Sequence, residues 1–135
     1  GYIVGIEEMP VANLSFSDIF IEAETGFSCK DVKGITFRNV RIDTKKGQAL
    51  TCENTERLEI AGLATATPHK DAVVDLLNTK NVYIHNCWAW PDTGTFLRLR
   101  GEKSKAVIVQ GNQLSQAKSA VVMEESFPAA EAVQQ

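Results

Sequence analysis

Long apolar runs, basic clusters and numerous cysteines are all missing from this sequence of 135 residues. No run approaches the roughly 20 apolar residues of a membrane-spanning helix, so we expect no membrane partner. The formal net charge is −3 without a Lys/Arg cluster, which argues against nucleic acid. Three cysteines are too few for a disulfide framework, and a signal-peptide pattern is missing. The 44% hydrophobic content suffices for one domain with a core.

Internal periodicity is the strongest signal in the chain. Five short segments alternate apolar and polar residues, which is the period of a half-buried β-strand. Their starts are 21, 23, 24 and 25 residues apart, at Asn13, Gly34, Arg57, Asn81 and Ala106. A second strand precedes each of the later segments, and a third strand follows the early ones. This pattern predicts an all-β fold, a right-handed parallel β-helix of about five coils of roughly 21–25 residues. The β-branched residues and the period of two argue against a helical solenoid.

The register of the strands follows from residues that recur at one position of the repeat. One inward column contains Leu14, Ile35, Leu58, Val82 and Val107, and a second contains Phe16, Phe37, Ile60, Ile84 and Val109. On the preceding strand the inward columns are Phe27, Leu50, Val74, Leu97, Val121 and Cys29, Cys52, Leu76, Leu99, Met123. A turn column contains Asp18, Asn39, Gly62, Asn86 and Gly111, which tolerate left-handed backbone angles. The same register sets opposite charges side by side at Lys30/Glu53, Asp75/Arg98 and Arg100/Glu124.

The two ends of the chain differ from the middle. We expect coils over residues 1–126 and, over residues 127–135, either a short cap or a disordered tail, because that tail has helix-forming composition. The N-terminus begins inside a coil, so we interpret the chain as the C-terminal part of a longer β-helix. An open strand edge is a template for another chain. We therefore expect self-association through the N-terminal coil, with the Trp88/Trp90 face as the next candidate interface.

Two stretches carry a family resemblance. Residues 8–18 (EMPVANLSFSD) and 26–40 (GFSCKDVKGITFRNV) resemble the C-terminal coils of glycoside hydrolase family 28, the polygalacturonase-like enzymes, in their bacterial form. The resemblance extends over about residues 2–126. It implies a parent protein that uses aspartates to hydrolyse glycosidic bonds with inversion of the anomeric configuration. Such a parent acts on pectic or other acidic polysaccharide and is extracellular or periplasmic.

The motifs that carry this family's chemistry are not reproduced here. The sequence has no Asp-Asp and no Gly-His-Gly, and its nearest match to Asn-Thr-Asp is Asn54-Thr55-Glu56. Asn78-Thr79-Lys80 occupies the same place in the repeat, which favours a structural turn. Arg98-Leu99-Arg100 resembles the family's Arg-Ile-Lys motif, so Arg98 and Arg100 are candidates for binding a sugar carboxylate. Both arginines also have charge partners in the register. We assign no catalytic residue by resemblance.

Cys29 and Cys52 share one inward position on adjacent coils. Buried cysteine behaves as a small hydrophobic residue, which favours packing over an adventitious disulfide or a metal site. Zinc needs further ligands, and neither His69 nor His85 belongs to that register. We expect both thiols to be buried and reduced, and we expect no metal and no cofactor.

Trp88 and Trp90 are two residues apart and therefore share a face. Cys87 and Ala89 take the inward positions, which turns both indoles outward. Exposed aromatic rings can stack on sugar rings, pack beneath a loop such as residues 65–71, or contact another chain. The pair is a candidate substrate-binding surface with these alternatives open.

His69 and Asp92 are 23 residues apart and precede equivalent strands, so they are expected to be lateral neighbours. A His–carboxylate pair can transfer protons, although a solvated loop contact is the more common arrangement.

The sequence therefore predicts a non-catalytic C-terminal β-helix segment of a polygalacturonase-like glycoside hydrolase, completing and capping the solenoid. The alternative is a carbohydrate-binding or protein-interaction module that uses the Trp88/Trp90 face. A self-sufficient enzyme centred on His69 and Asp92 is the third hypothesis.

Overall fold

The computed structural model describes residues 1–124 and 126–134, and these residues form a parallel β-helix, as the repeat predicts. Every pairing between the named strands is parallel. The strands are β1 (Tyr2–Val4), β2 (Val11–Ala23), β3 (Phe27–Thr44), β4 (Leu50–Ala64), β5 (Val74–Leu77), β6 (Lys80–His85), β7 (Thr93–Arg100), β8 (Lys105–Val109), β9 (Ala117–Glu124) and β10 (Ala132–Gln134). A 3₁₀ turn spans Ala129–Glu131.

The described residues wind through about six turns rather than five. The first three turns are β1 with β2, β3, and β4, and the last three are β5 with β6, β7 with β8, and β9 with β10. The additional turn arises because β10 lies in the segment that was expected to be a cap or a disordered tail. Its alanine-rich composition favours helix, yet Ala132–Gln134 pairs with residues 107–109 of β8. The backbone N–H of Ala106 donates to Oε2 of Glu131 at 3.0 Å, which ties the tail to the fifth turn.

The predicted register is confirmed along the solenoid. Leu14 pairs with Ile35, Ile35 with Leu58, Leu58 with Val82 and Val82 with Val107. All of these side chains are buried except Leu14, which is half-buried. The columns that begin at Phe27 and Cys29 also continue through β4, β5, β7 and β9 as predicted. The apolar interior is therefore a stack of like residues, each coil buried between its neighbours.

Left-handed residues form the corners of the coils. The predicted column at Asp18, Asn39, Gly62, Asn86 and Gly111 has positive φ at all five positions. Two further columns share this geometry: Asp31, Asn54, Asn78, Gly101 and Asn13, Gly34, Arg57, Asn81, Ala106. Because a single unpaired residue turns each corner without ending the strand, β2, β3 and β4 reach 13, 18 and 15 residues.

These corners divide each coil into three faces. The first face contains β1, β5, β7, β9 and the starts of β3 and β4; the second contains β6, β8, β10 and the middles of β2, β3 and β4. The third face contains the ends of β2, β3 and β4 together with residues 87–89 and 112–114. Aromatic rings fill the interior near the first turn, where Phe16 stacks on Phe37 at 5.6 Å and Phe27 meets both edge to face. Within the described residues, no helix has the length and apolar character that would span a membrane.

Candidate functional site

Trp88 and Trp90 point away from the core, as their spacing predicts. Cys87 and Ala89, which alternate with the tryptophans, are buried, whereas Trp88 is 63% exposed and Trp90 is 43% exposed. The backbone N–H of Trp88 donates to the carbonyl of Leu63 at 3.1 Å, and Trp88 forms a parallel bridge with Gln113. These bonds fix Trp88 on the third face. Since both indoles keep a large exposed fraction, a covering loop does not account for their position.

Arg98 and Arg100 converge on one carboxylate, that of Asp75. Arg98 Nη2 donates to Oδ2 at 2.5 Å, and Arg100 Nε donates to Oδ1 at 2.9 Å. Asp75 is only 3% exposed, because the two guanidinium groups cover it. This hydrogen bond with Asp75 raises the pKa of Arg98. The predicted neighbour pair Asp75/Arg98 is confirmed, and it holds the candidate sugar-carboxylate group in an internal contact.

A second acid extends this network toward the loop before β5. Arg98 Nη1 lies 3.4 Å from Oδ1 of Asp71, whose Oδ2 accepts from Nε2 of Gln48 at 2.9 Å. The Nε atom of Arg98 is buried and has no hydrogen-bond partner among the described residues. One arginine therefore contacts two carboxylates, and its positive charge is locally balanced.

His69 is a backbone neighbour of the Asp92 segment, but its side chain contacts other residues. Its ring is 5% exposed: Thr44 Oγ1 lies 2.9 Å from Nε2, and the Thr67 carbonyl lies 3.3 Å from Nδ1. Since a carbonyl only accepts, Nδ1 carries the proton that it donates to Thr67, while Nε2 contacts the Thr44 hydroxyl, which also lies 3.3 Å from the Gly47 carbonyl. The backbones are lateral neighbours, because Gly94 N–H donates to the carbonyl of His69 at 2.8 Å. Asp92 is exposed at a left-handed turn, and the described hydrogen bonds and ion pairs include none between the two side chains.

The three thiols are free and buried, as predicted for Cys29 and Cys52. Cys29 and Cys52 are register partners on adjacent coils. The hydrogen bond between them, followed by burial, raises the pKa of Cys52. Burial raises the pKa of Cys87 to about 11. Among the described residues, no group of three or more His, Cys, Asp and Glu side chains could hold a metal ion.

Asn54-Thr55-Glu56 occupies a corner of the solenoid, as its repeat partner suggests. Asn54 has φ 48° and Asn78 has φ 53°, and both stand in the same left-handed column. The Asn54 side-chain amide donates to Oδ1 of Asp31 on the preceding coil. This asparagine therefore stabilises the turn between adjacent coils.

Sequence reasoning missed a polar cluster on the second face. Glu59 Oε2 accepts from His85 Nε2 at 2.8 Å, and its other oxygen lies 3.7 Å from Arg38 Nη2. Tyr83 stacks on His85 with ring centroids 4.1 Å apart, and Gln110 Nε2 donates to the Tyr83 hydroxyl at 3.0 Å. The sequence does indicate that Glu59 and Tyr83 take outward positions beside one another on neighbouring coils. The cluster links four consecutive coils on their outer surface.

Comparison with protein-family models, curated proteins and solved structures finds no significant match to the chain.

Proposed function

We propose that this chain is a non-catalytic β-helix segment of a polygalacturonase-like glycoside hydrolase that acts on pectic polysaccharide. Its role is to complete and cap the solenoid of that protein. The observation that supports this most is the use of the Arg98-Leu99-Arg100 motif: Leu99 is buried in the ladder and both guanidinium groups bind Asp75. The family resemblance also suggests an extracellular or periplasmic location for the parent.

Inverting hydrolysis needs one carboxylic acid to protonate the leaving oxygen and a carboxylate about 6.5–9.5 Å away to activate water. The acids described above are already bound: Asp75 is enclosed by two arginines, and Glu59 is held by His85 and Arg38. Neither is arranged as a free acid facing a free base. We therefore assign hydrolysis of the glycosidic bond to other parts of the parent protein.

Reducing-end release tests this proposal directly. The chain, incubated alone with polygalacturonate, is expected to release no reducing ends above the buffer control. His69→Ala and Asp92→Ala variants serve as comparisons. Turnover by the unmodified chain that disappears in either variant would overturn the proposal and favour an enzyme centred on those residues.

A second candidate function is contact with carbohydrate through the Trp88/Trp90 face. The observation that favours it is the exposure of both indoles, which stand two residues apart in the chain. Indole rings present a flat apolar surface against which sugar rings stack. The chain has two tryptophans, so its tryptophan fluorescence reports on this face alone. We expect a saturable change in emission on titration with a bound polysaccharide, and loss of that binding in Trp88→Ala. Binding that is equally strong in Trp88→Ala would exclude this face.

A further inference from the structure

The third face carries a row of outward side chains that continues beyond Trp88. Phe20 pairs with Arg41, and Arg41 pairs with Ala64. The bond from Trp88 N–H to the Leu63 carbonyl sets Trp88 beside Ala64 on the next coil. The small side chain of Ala64 therefore separates Arg41 from Trp88, which are two coil spacings, about 10 Å, apart.

A groove of about 400 Å³ lies over the small residues of this row. Gly62 and Ala64 line it on the third coil, and Phe20 and Arg41 line it on the first two. The Arg41 guanidinium carbon lies 3.8 Å above the centroid of the Phe20 ring, so the two form one flat stacked wall. Phe20 is nonetheless 50% exposed. The groove is within the size range of small-ligand sites in proteins, about 300–1,000 Å³.

A polar rim borders this groove at the corner of the coil. Asn39 Nδ2 donates to Oδ1 of Asp18 at 2.6 Å, and both residues line the groove. Both also have left-handed backbone angles, which fix the direction of the side chains along the corner column. The described hydrogen bonds use only Oδ1 of Asp18, which leaves Oδ2 to accept from a ligand hydroxyl.

We propose that this groove binds one or two sugar units of an uncharged polysaccharide. A pyranose ring has an apolar face that suits the Phe20/Arg41 wall and the Trp88 indole. Its hydroxyl groups suit the acceptor and donor atoms of Asp18 and Asn39. The proposal rests on the carbohydrate contact proposed above for Trp88, and it extends that surface to the first three coils.

Charge selects an uncharged polymer over an acidic one. Arg41 Nε lies 3.5 Å from Oδ2 of Asp43, so its positive charge is already paired. Glu22 stands beside Asp43 in the register, and Asp18 is a further acidic residue that lines the groove. A uronate in the groove would meet these acids without an unpaired cation to balance it. The uncharged ligand proposed for this groove thus differs from the acidic polysaccharide that the family resemblance implies for the parent.

Native gels that contain a dissolved polysaccharide test this proposal with the whole chain. The probes are galactomannan and xyloglucan, which are uncharged, and polygalacturonate. The critical variant is Ala64→Ile, which places a branched side chain in the groove at an outward strand position. Its matched control is Ala12→Ile, because Ala12 is also an exposed strand residue, paired with Lys33 on the far side of the coil from the groove.

An uncharged polymer is expected to retard the unmodified chain and Ala12→Ile, and to bind Ala64→Ile about tenfold more weakly. Stronger retardation by polygalacturonate would overturn the uncharged assignment. Equal binding of Ala64→Ile and Ala12→Ile, with binding lost in Trp88→Ala, would reject the groove and leave the tryptophan contact standing. Lack of retardation of the unmodified chain by all three polymers would reject both. Circular dichroism checks that each variant retains its β-sheet spectrum.

Discussion

Replacing Asp75 by Asn removes a negative charge from beneath two guanidinium groups while preserving the shape of the side chain. Asp75 accepts hydrogen bonds from Arg98 and Arg100 on the next coil, and it is almost completely buried. An amide in its place presents only one oxygen, and its NH₂ group faces an arginine donor. The variant therefore converts an ion pair with two partners into a contact that leaves positive charge uncompensated.

The size of the effect follows from this burial. Breaking a buried ion pair by removing one partner costs about 3–5 kcal/mol. The side chains of Arg98 and Arg100 remain 22% and 21% exposed, so water offsets part of the loss. We therefore expect Asp75→Asn to lower the free energy of unfolding by about 3 kcal/mol, the lower end of that range. Urea denaturation followed by circular dichroism measures it.

Asp71→Asn is the matched control, because Asp71 contacts the same arginine from a more exposed position. Its side chain is 56% exposed and lies 3.4 Å from Arg98. An exposed pair contributes about 0–1 kcal/mol, so this variant is expected to change stability little. If Asp75→Asn is as stable as Asp71→Asn, the arginines do not depend on Asp75. They would then regain their place as candidates for a sugar carboxylate.

Four further outcomes are expected. Ala106→Gly should raise the free energy of unfolding by about 1 kcal/mol, because Ala106 has φ 54°, a left-handed angle that disfavours a Cβ; urea midpoints check this, and an unchanged midpoint contradicts it. Because the pKa of Cys87 is raised from 9.0 to about 11, unfolding releases its proton between these pH values, so the free energy of unfolding should fall by about 2–3 kcal/mol across that window. The fall should be smaller in Cys87→Ala, and an equal pH dependence of unfolding in the two proteins would contradict this. Cys29 and Cys52 should resist a thiol reagent until the chain unfolds, and rapid native labelling would show that they are accessible. Light scattering should detect self-association that grows with concentration, since β2 pairs with β3 alone among the described strands and offers an open edge; a strictly monomeric particle with an ordered first coil would refute this.

The fold was readable from the sequence because one column of like residues is enough to set the register. Once Leu14, Ile35 and Leu58 are aligned, pleating fixes which neighbours face inward, and a slip of one residue would expose the whole apolar set. The strand β10 escaped detection because Ala132 and Val133 are too few to show a period. The corner at Asn54 and Asn78 was predicted as a turn, whereas the corner column of Arg57 and Ala106 was missed, since these residue types seldom adopt positive φ.

The candidate site was less predictable, since side-chain contacts depend on more than register. Asp75 and Arg98 were paired correctly because they are direct neighbours on adjacent strands. Arg100 and Glu124 are also direct neighbours, as predicted, and Arg100 Nε in addition reaches diagonally to Asp75. His69 was expected to be a lateral neighbour of Asp92, which holds for the backbone, but the loop between β4 and β5 turns the His69 ring toward Thr44. Loop conformation of this kind leaves little signal in a repeat of period two.

The column that runs through Phe16, Phe37, Ile60, Ile84 and Val109 becomes smaller from one end of the solenoid to the other. Neighbouring coils of a repeat are similar enough that a folding chain can stack in the right phase yet one whole coil out of place. In this column such a slip sets a phenyl ring into a space shaped for isoleucine, or leaves a void where a ring belongs, and either error costs free energy. The gradient in side-chain volume thus disfavours stacking arrangements in which the coils are displaced by one whole turn.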